Sequence, residues 1–266
     1  MFNKIQLLFA KQDHTMRRHS FTGTLVVALL LTLIMQPAQA DEILVAVASN
    51  FSNTIKEIAQ RFEATTDHEV TLIVGSTGKQ YAQIKNGAPF DAFFSADARR
   101  PKLLEEDGIA ISGTRFTYAM GKIVLWSPRK GMVDSEGDVL ETARFRHLAV
   151  ANPKLAPYGK AAQEVLQQRG VWGALRSRMV RGENIGQTFQ FVKSGNADLG
   201  FVAWSQIRRP GHPVEGSFWD VPQSLYTPIM QQAVLLKEGD AMRAFLSFVK
   251  SEIALRIMRG FGYGIP

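Results

Sequence analysis

The chain has 266 residues and carries 31 Lys and Arg against 24 Asp and Glu, a net +7 that is not gathered into any Lys/Arg block of the kind that marks nucleic-acid binding. It contains no Cys, which excludes disulfides, thiolate metal sites, Cys nucleophiles and a lipid-modified Cys.

Residues 1–40 read as an export signal. Met16-Arg17-Arg18-His19 supplies a positive start, Thr24 to Met35 (TLVVALLLTLIM) an apolar core, and Pro37-Ala38-Gln39-Ala40 the small residues that signal peptidase reads. A membrane span needs about 20 apolar residues, and this run stops at Gln36-Pro37. Cleavage is expected after Ala40. The stretch before Met16 is foreign to such a signal and leaves Met1 and Met16 both open as starts. The leader carries Lys4, Lys11, Arg17 and Arg18 against Asp13, so its loss lowers the net charge from +7 to +4. The remaining chain, Asp41 to Pro266, is long enough for two modest lobes or one large domain. A free, unlipidated exported protein is retained only where a second membrane encloses it, so the expected location is the periplasm of a Gram-negative cell.

In chain order, Ile43 to Ala48 (ILVAVA) reads as a buried parallel strand. Ser49 and Asn50 follow, and Ile55, Ile58, Ala59 and Phe62 then fall at i, i+3, i+4 and i+7, the stripe of an amphipathic helix. Val70 to Val74 is a second strand, broken by Gly75-Ser76-Thr77-Gly78 before the helical stripe that Tyr81 and Ile84 begin. Phe90 to Ser95 is a third strand, and Arg99 to Glu106 a helix. Arg115 to Ser127 is long and extended, with Gly121 in its middle. His147 to Ala151 is a strand, Pro157-Tyr158-Gly159 a loop, and Lys160 to Arg169 a helix. Asn184-Ile185-Gly186 opens a helix to about Ser194. Leu199 to Ala203 and Ile229 to Leu236 are strands, and Arg208 to Ser224, rich in Pro and Gly, is a surface loop. Helices near Ala241 to Lys250 and Ile253 to Arg259 finish the chain. No internal sequence repeat is present. This alternation predicts an α/β fold with parallel sheets covered on both faces, whose ligands sit at the carboxyl ends of strands.

Four places share one layout, a strand or loop, then a small or hydroxyl residue, then a helix start: Ser49-Asn50, Ser76-Thr77-Gly78, Tyr158-Gly159 and Ile185-Gly186. A helix start leaves backbone N–H groups without partners and carries roughly half a positive charge, so it binds anions without Lys or Arg. The glycines leave the backbone open to close approach by an oxygen. Each motif alone is an ordinary cap; the argument lies in four of them together. Gly75-Ser76-Thr77-Gly78-Lys79 fails as a nucleotide phosphate loop, because Ile73 stands where the first Gly belongs and Gln80 where Ser or Thr belongs. A hydrolase lacks support: there is no G-x-S-x-G elbow, and His68, His147 and His212 stand near no Ser in a recognisable pattern. No metal-ligand spacing appears. Trp126, Trp172, Trp204 and Trp219 are read as packing residues.

Five stretches then carry a family likeness: Val45 to Phe62, Gly75 to Asp97 with its run GAPFDAFFSAD, Arg115 to Ser127, Ala151 to Gly159 (ANPKLAPYG) and Ala197 to Ala203. In their order and spacing the chain resembles the periplasmic molybdate-binding proteins of ABC transporters, from Ile43 nearly to its end. The resemblance implies a type II periplasmic binding protein, with two lobes joined by two crossover strands. Lobe one would be 41–118 plus 231–266 and lobe two 119–230, with Arg115 to Ser127 and Ile229 to Leu236 as the hinge. It implies that Ser49, Asn50, Thr77, Tyr158 and Ile185 hold one buried molybdate or tungstate, Ile185 through its backbone N–H. Two departures are visible: Ala203 stands where some members carry Tyr, for which Tyr158 compensates, and Thr77 replaces what is often Ser. No cofactor or free metal cation is implied, molybdenum entering only as its oxyanion. The implied partner is an inner-membrane ABC permease, with the protein a monomer that binds no nucleic acid. A binder of sulfate or phosphate, and an exported hydrolase, are the alternatives.

Overall fold

The computed structural model describes residues 41–266, so the expected signal and its cleavage point lie outside the described residues. These residues form one compact unit built on two five-stranded sheets.

β1 (Glu42–Ala48), a short 3-10 turn (Ser49–Phe51) and α1 (Ser52–Glu63) come first, followed by β2 (Glu69–Gly75), α2 (Thr77–Lys85), β3 (Ala92–Ser95) and α3 (Arg99–Glu106). The expected apolar stripe of α1 is buried throughout, with Ile55 and Ile58 at 0% exposure and Ala59 and Phe62 nearly so. Each large apolar side chain so buried contributes about 1.5–3 kcal/mol. The stripe packs with Val45 and Val47 of β1 and with Phe245 and Met258 from two C-terminal helices. The long extended segment then divides. β4 (Phe116–Gly121) belongs to the first sheet and β5 (Ile123–Ser127) to the second, with Lys122 between them.

The second sheet adds α4 (Val139–Thr142), β6 (Leu148–Ala151), α5 (Pro157–Gln168), α6 (Trp172–Leu175), β7 (Met179–Gly182), α7 (Ile185–Lys193), β8 (Leu199–Ala203), α8 (Trp204–Ile207) and β9 (Ser217–Asp220). β10 (Ile229–Leu235) returns to the first sheet, and α9 (Asp240–Val249) and α10 (Glu252–Gly260) close the chain. A second core gathers Ile123 and Leu125 of β5, Leu148 of β6, Val165 and Leu166 of α5 and Phe201 of β8. No helix among the described residues is long and apolar enough to cross a membrane.

Strand orders are β2-β1-β3-β10-β4 and β7-β6-β8-β5-β9. The expected all-parallel sheets are corrected to mixed ones. β1, β2 and β3 run parallel to one another, as do β6, β7 and β8, but β10 is antiparallel to both β3 and β4, and β5 to both β8 and β9. The reversed strands β5 and β10 are those by which the chain enters a sheet from the other one. The two sheets thus repeat one topology without any repeat in sequence. The segment read as a surface loop, Arg208 to Ser224, contains β9. Its Trp219 is buried while Phe218 is half-exposed, and the neighbouring Gly216 and Pro222 mask so short a strand in the sequence. α5 begins three residues before the expected Lys160, because Pro157 occupies its first turn, where a missing N–H costs nothing.

Candidate binding site

Four helix starts meet where the carboxyl ends of the parallel strands face one another. From the first sheet, β1 runs into the turn at Ser49 and β2 into α2. From the second, β6 leads to α5 and β7 to α7. β1 and β6 hold equivalent places in their sheets, as do β2 and β7. All five residues expected to hold a ligand line one small cavity: Ser49 and Asn50, Thr77, Tyr158, and Ile185. Each is buried, none more than 6% exposed. Ser76 and Asn184 also line it and cap their helices, Ser76 Oγ accepting from Lys79 N at 3.3 Å and Asn184 Oδ1 from Gln187 N at 2.9 Å. Gln80 fastens the turn before α2 by donating to Val47 O (2.9 Å) and Ile73 O (2.6 Å).

The three hydroxyls expected to hold a ligand share a bonding state, as does Ser76, the fourth hydroxyl of the lining. Ser49 Oγ accepts from Gly186 N (3.1 Å), Thr77 Oγ1 from Ala96 N (3.2 Å) and Tyr158 Oη from Gln231 Nε2 (3.4 Å). None of them donates to a protein acceptor among the described residues. A hydroxyl has one proton to give, and an N–H already approaches each oxygen, so all three keep a proton uncommitted to the described residues. The N–H groups of Asn50, Thr77, Tyr158 and Ile185, each within the first turn of its helix, likewise meet no protein acceptor among the described residues, as expected at helix starts. No side chain lining the cavity carries a charge. The pair Lys79–Glu183 (3.3 Å) sits apart from it with side chains 55% and 41% exposed, where an ion pair contributes about 0–1 kcal/mol.

Three expectations need refinement. Gly78 and Gly186 do let oxygens approach their N–H groups, but those oxygens are protein atoms from the other sheet's half: Leu155 O reaches Gly78 N at 2.8 Å, and Ser49 Oγ takes Gly186 N. These two bonds tie the halves together. Gly159 serves packing, since a Cβ there would overlap Ala151 O. The Asn50 side chain is also committed elsewhere, Nδ2 donating to Gln231 Oε1 (2.6 Å) and Tyr263 Oη (3.1 Å), so its backbone N–H is what remains for the cavity.

The other candidate chemistries are not assembled at this cavity. His147 and His212 are exposed and His68 stacks on Phe62, all away from it. No group of three or more His, Asp or Glu that would hold a metal ion occurs among the described residues. Trp126 and Trp219 are buried packing residues. A wider surface groove of about 400 Å³ between Trp126, Phe189 and Pro213 contains none of the five candidates.

Comparison with known proteins decides the family. Residues 43–264 match the model of the bacterial extracellular solute-binding proteins. The molybdate-binding protein ModA of Azotobacter vinelandii is 48% identical over 91% of this chain and 97% of its own length. That of Rhodobacter capsulatus is 49% identical over 91% and 95%. The chain belongs to the ModA family of solute-binding proteins. The solved structure of the Azotobacter vinelandii periplasmic molybdate-binding protein superposes with a TM-score of 0.82 at 42% identity, covering 84% of this chain and 99% of that one. The α/β fold expected of a ModA-type protein is therefore the fold observed. At the position where some family members were expected to carry Tyr, Ala203 is fully buried, and its N–H is bound to Gln206 Oε1 (2.9 Å). Ala203 does not line the cavity, whereas Tyr158 does.

Burial raises the Tyr158 hydroxyl well above its ordinary value, with neighbouring Tyr263 and Tyr118 adding to the effect. No group lining the cavity therefore changes charge near neutrality. Anion affinity is expected to stay flat between about pH 6 and 9, the interval that brackets the reference His value. It is also expected to fall only modestly with salt, since buried interactions are weakly screened. Calorimetry at several pH values checks this. A tenfold loss between about pH 6 and 8 would instead mark a titrating His as a ligand.

Proposed function

We propose that this protein captures molybdate, or the nearly equal-sized tungstate, in the cavity between its two halves and delivers it to the permease of an ABC importer. Ser49, Thr77 and Tyr158 would donate through hydroxyls, and Asn50 and Ile185 through backbone N–H groups. The observation that carries this reading is the convergence of uncommitted donors, without one charged side chain, on a single small buried cavity. A fully ionised tetrahedral oxyanion needs donors from several sides and no opposing charge, and this lining offers uncommitted donors from both halves and no carboxylate. The halves would act as lobes that close on the anion; the expected bounds, 41–118 plus 231–266 and 119–230, cut β4 and β10, and keeping those strands whole in the first lobe moves the divisions to Lys122 and to the residue before Ile229. The protein would work as a periplasmic monomer after cleavage following Ala40.

Calorimetric titration of the exported protein tests the reading. Molybdate is expected to bind once per chain, with the protein eluting as a monomer before and after. Saturation by phosphate with no heat from molybdate would overturn the assignment in favour of another oxyanion.

A further inference from the structure

Gln231 lies on β10 where the pairing with β4 shifts register, and its side chain is fully buried. It does not line the cavity. Its Oε1 accepts from Asn50 Nδ2 (2.6 Å) and lies 3.0 Å from Tyr118 Oη, whose single proton Ser95 O (3.1 Å) also attracts. The amide nitrogen is thereby turned toward Tyr158 Oη at 3.4 Å. Gly121 makes room for this meeting: a Cβ there would overlap both Tyr158 Oη and Gln231 Nε2.

Upstream bonds favour that sense. The Tyr263 hydroxyl has two acceptors within reach, Asn50 O (2.8 Å) and Ser205 Oγ (2.9 Å), the latter itself donating to Asn50 O (3.0 Å), and either one takes its proton. Tyr263 Oη then accepts from Asn50 Nδ2 (3.1 Å). That turns Asn50 Nδ2 toward Gln231 Oε1 and leaves Asn50 Oδ1 buried without a partner. Reversing the Gln231 amide would set its N–H groups against the N–H group of Asn50.

We propose that Gln231 is a positioning residue for anion binding: by donating to Tyr158 Oη it obliges the Tyr158 proton to point into the cavity, and so makes Tyr158 a donor to the oxyanion. Ser205, Tyr263 and Asn50 hold the amide in that sense. The chain of bonds runs from Asn50 in the first half to Tyr158 in the second, so it also couples the donor's direction to the meeting of the halves. The titratable groups facing this network are Tyr118, Tyr158, Tyr263 and Tyr226, all kept protonated by burial, and Asp97, which is paired with Arg100.

This inference rests on the molybdate reading, and its test separates the two. Gln231→Glu replaces the donor with an acceptor, which would draw the Tyr158 proton away from the cavity. Molybdate affinity is expected to fall at least about tenfold at pH 8, one lost hydrogen bond to a charged group. It should recover as acid protonates the new carboxyl and restores a donor toward Tyr158. Wild-type affinity stays flat over the same range. Gln231→Met keeps the size and removes the donor, and its loss is expected to be smaller and independent of pH. In a Tyr158→Phe background, Gln231→Met should cost little further, because its effect passes through the absent hydroxyl. This double-mutant comparison decides the matter even where Gln231→Glu does not fold. Equal losses from Gln231→Met in the two backgrounds, with wild type still binding molybdate, would overturn the role of Gln231 alone. A wild-type protein that takes up no molybdate would overturn the functional reading instead.

Discussion

Sulfate is expected to bind about a thousandfold more weakly than molybdate, with tungstate within about threefold of molybdate. The donors of the proposed site are held in place by the protein rather than by the anion. Gly186 N–H fixes Ser49 Oγ, Ala96 N–H fixes Thr77 Oγ1, and the remaining donors are backbone groups at helix starts. Nor can the halves close further around a smaller ion. Gly78 N already meets Leu155 O at 2.8 Å, and a Cβ on Gly78 would press on the Leu155 backbone. Sulfate, with shorter bonds from its central atom to oxygen, then reaches one wall and leaves donors on the other unpaired. Each buried donor left without a partner costs about 1–3 kcal/mol. Two of them amount to roughly a thousandfold at the middle of that range. Tungstate has nearly the same radius and charge as molybdate and loses no contact. Competition calorimetry with the three anions measures the ratios. Equal affinity for sulfate and molybdate would show that the cavity adapts its radius, and the argument from fixed donors would fall.

Much of this site was legible before any coordinates because its signals are local. An apolar run ending at Ala48 marks a strand end, Ser76 and Asn184 are cap residues by type, and Pro157 opens a helix by its fixed φ. Periodicity alone placed Ile55, Ile58, Ala59 and Phe62 on the buried face of α1. What escaped depends on distance along the chain. The Asn50–Gln231 bond joins residues 181 apart, and nothing in the strand sequence IMQQAVL distinguishes Gln231, which is buried, from Gln232, which pairs with Arg115 and Thr117. The same holds for Gly121, which reads as a break in an extended segment until Tyr158 and Gln231 are seen to occupy its side-chain space. Strand direction was equally hidden. Apolar runs such as Ile123 to Trp126 are buried on both faces whichever way their neighbours run, so composition carries no sign of it.

Removing the two hydroxyls that stand on opposite halves should weaken binding most. Thr77→Ala deletes a donor from the first half and Tyr158→Phe one from the second, and both residues are about 1% exposed, so water does not readily replace the lost group. A hydrogen bond to a charged partner is worth about 1.5–3 kcal/mol, which makes each single change a loss of roughly ten- to 150-fold in molybdate affinity. The stability effects differ. Tyr158→Phe leaves Gln231 Nε2 without its acceptor, and Thr77→Ala does the same to the Ala96 N–H, so both variants should melt at somewhat lower temperature in the absence of anion. Affinity is therefore to be compared at a temperature where both remain folded. The double variant should lose more affinity than either single one, and its departure from the product of the two measures how far they are coupled through the one anion they would share. Ile185→Ala, whose proposed contact is backbone, should lose much less than either. Should both hydroxyl variants bind molybdate as wild type does, the anion sits elsewhere and the cavity between the halves is not its site.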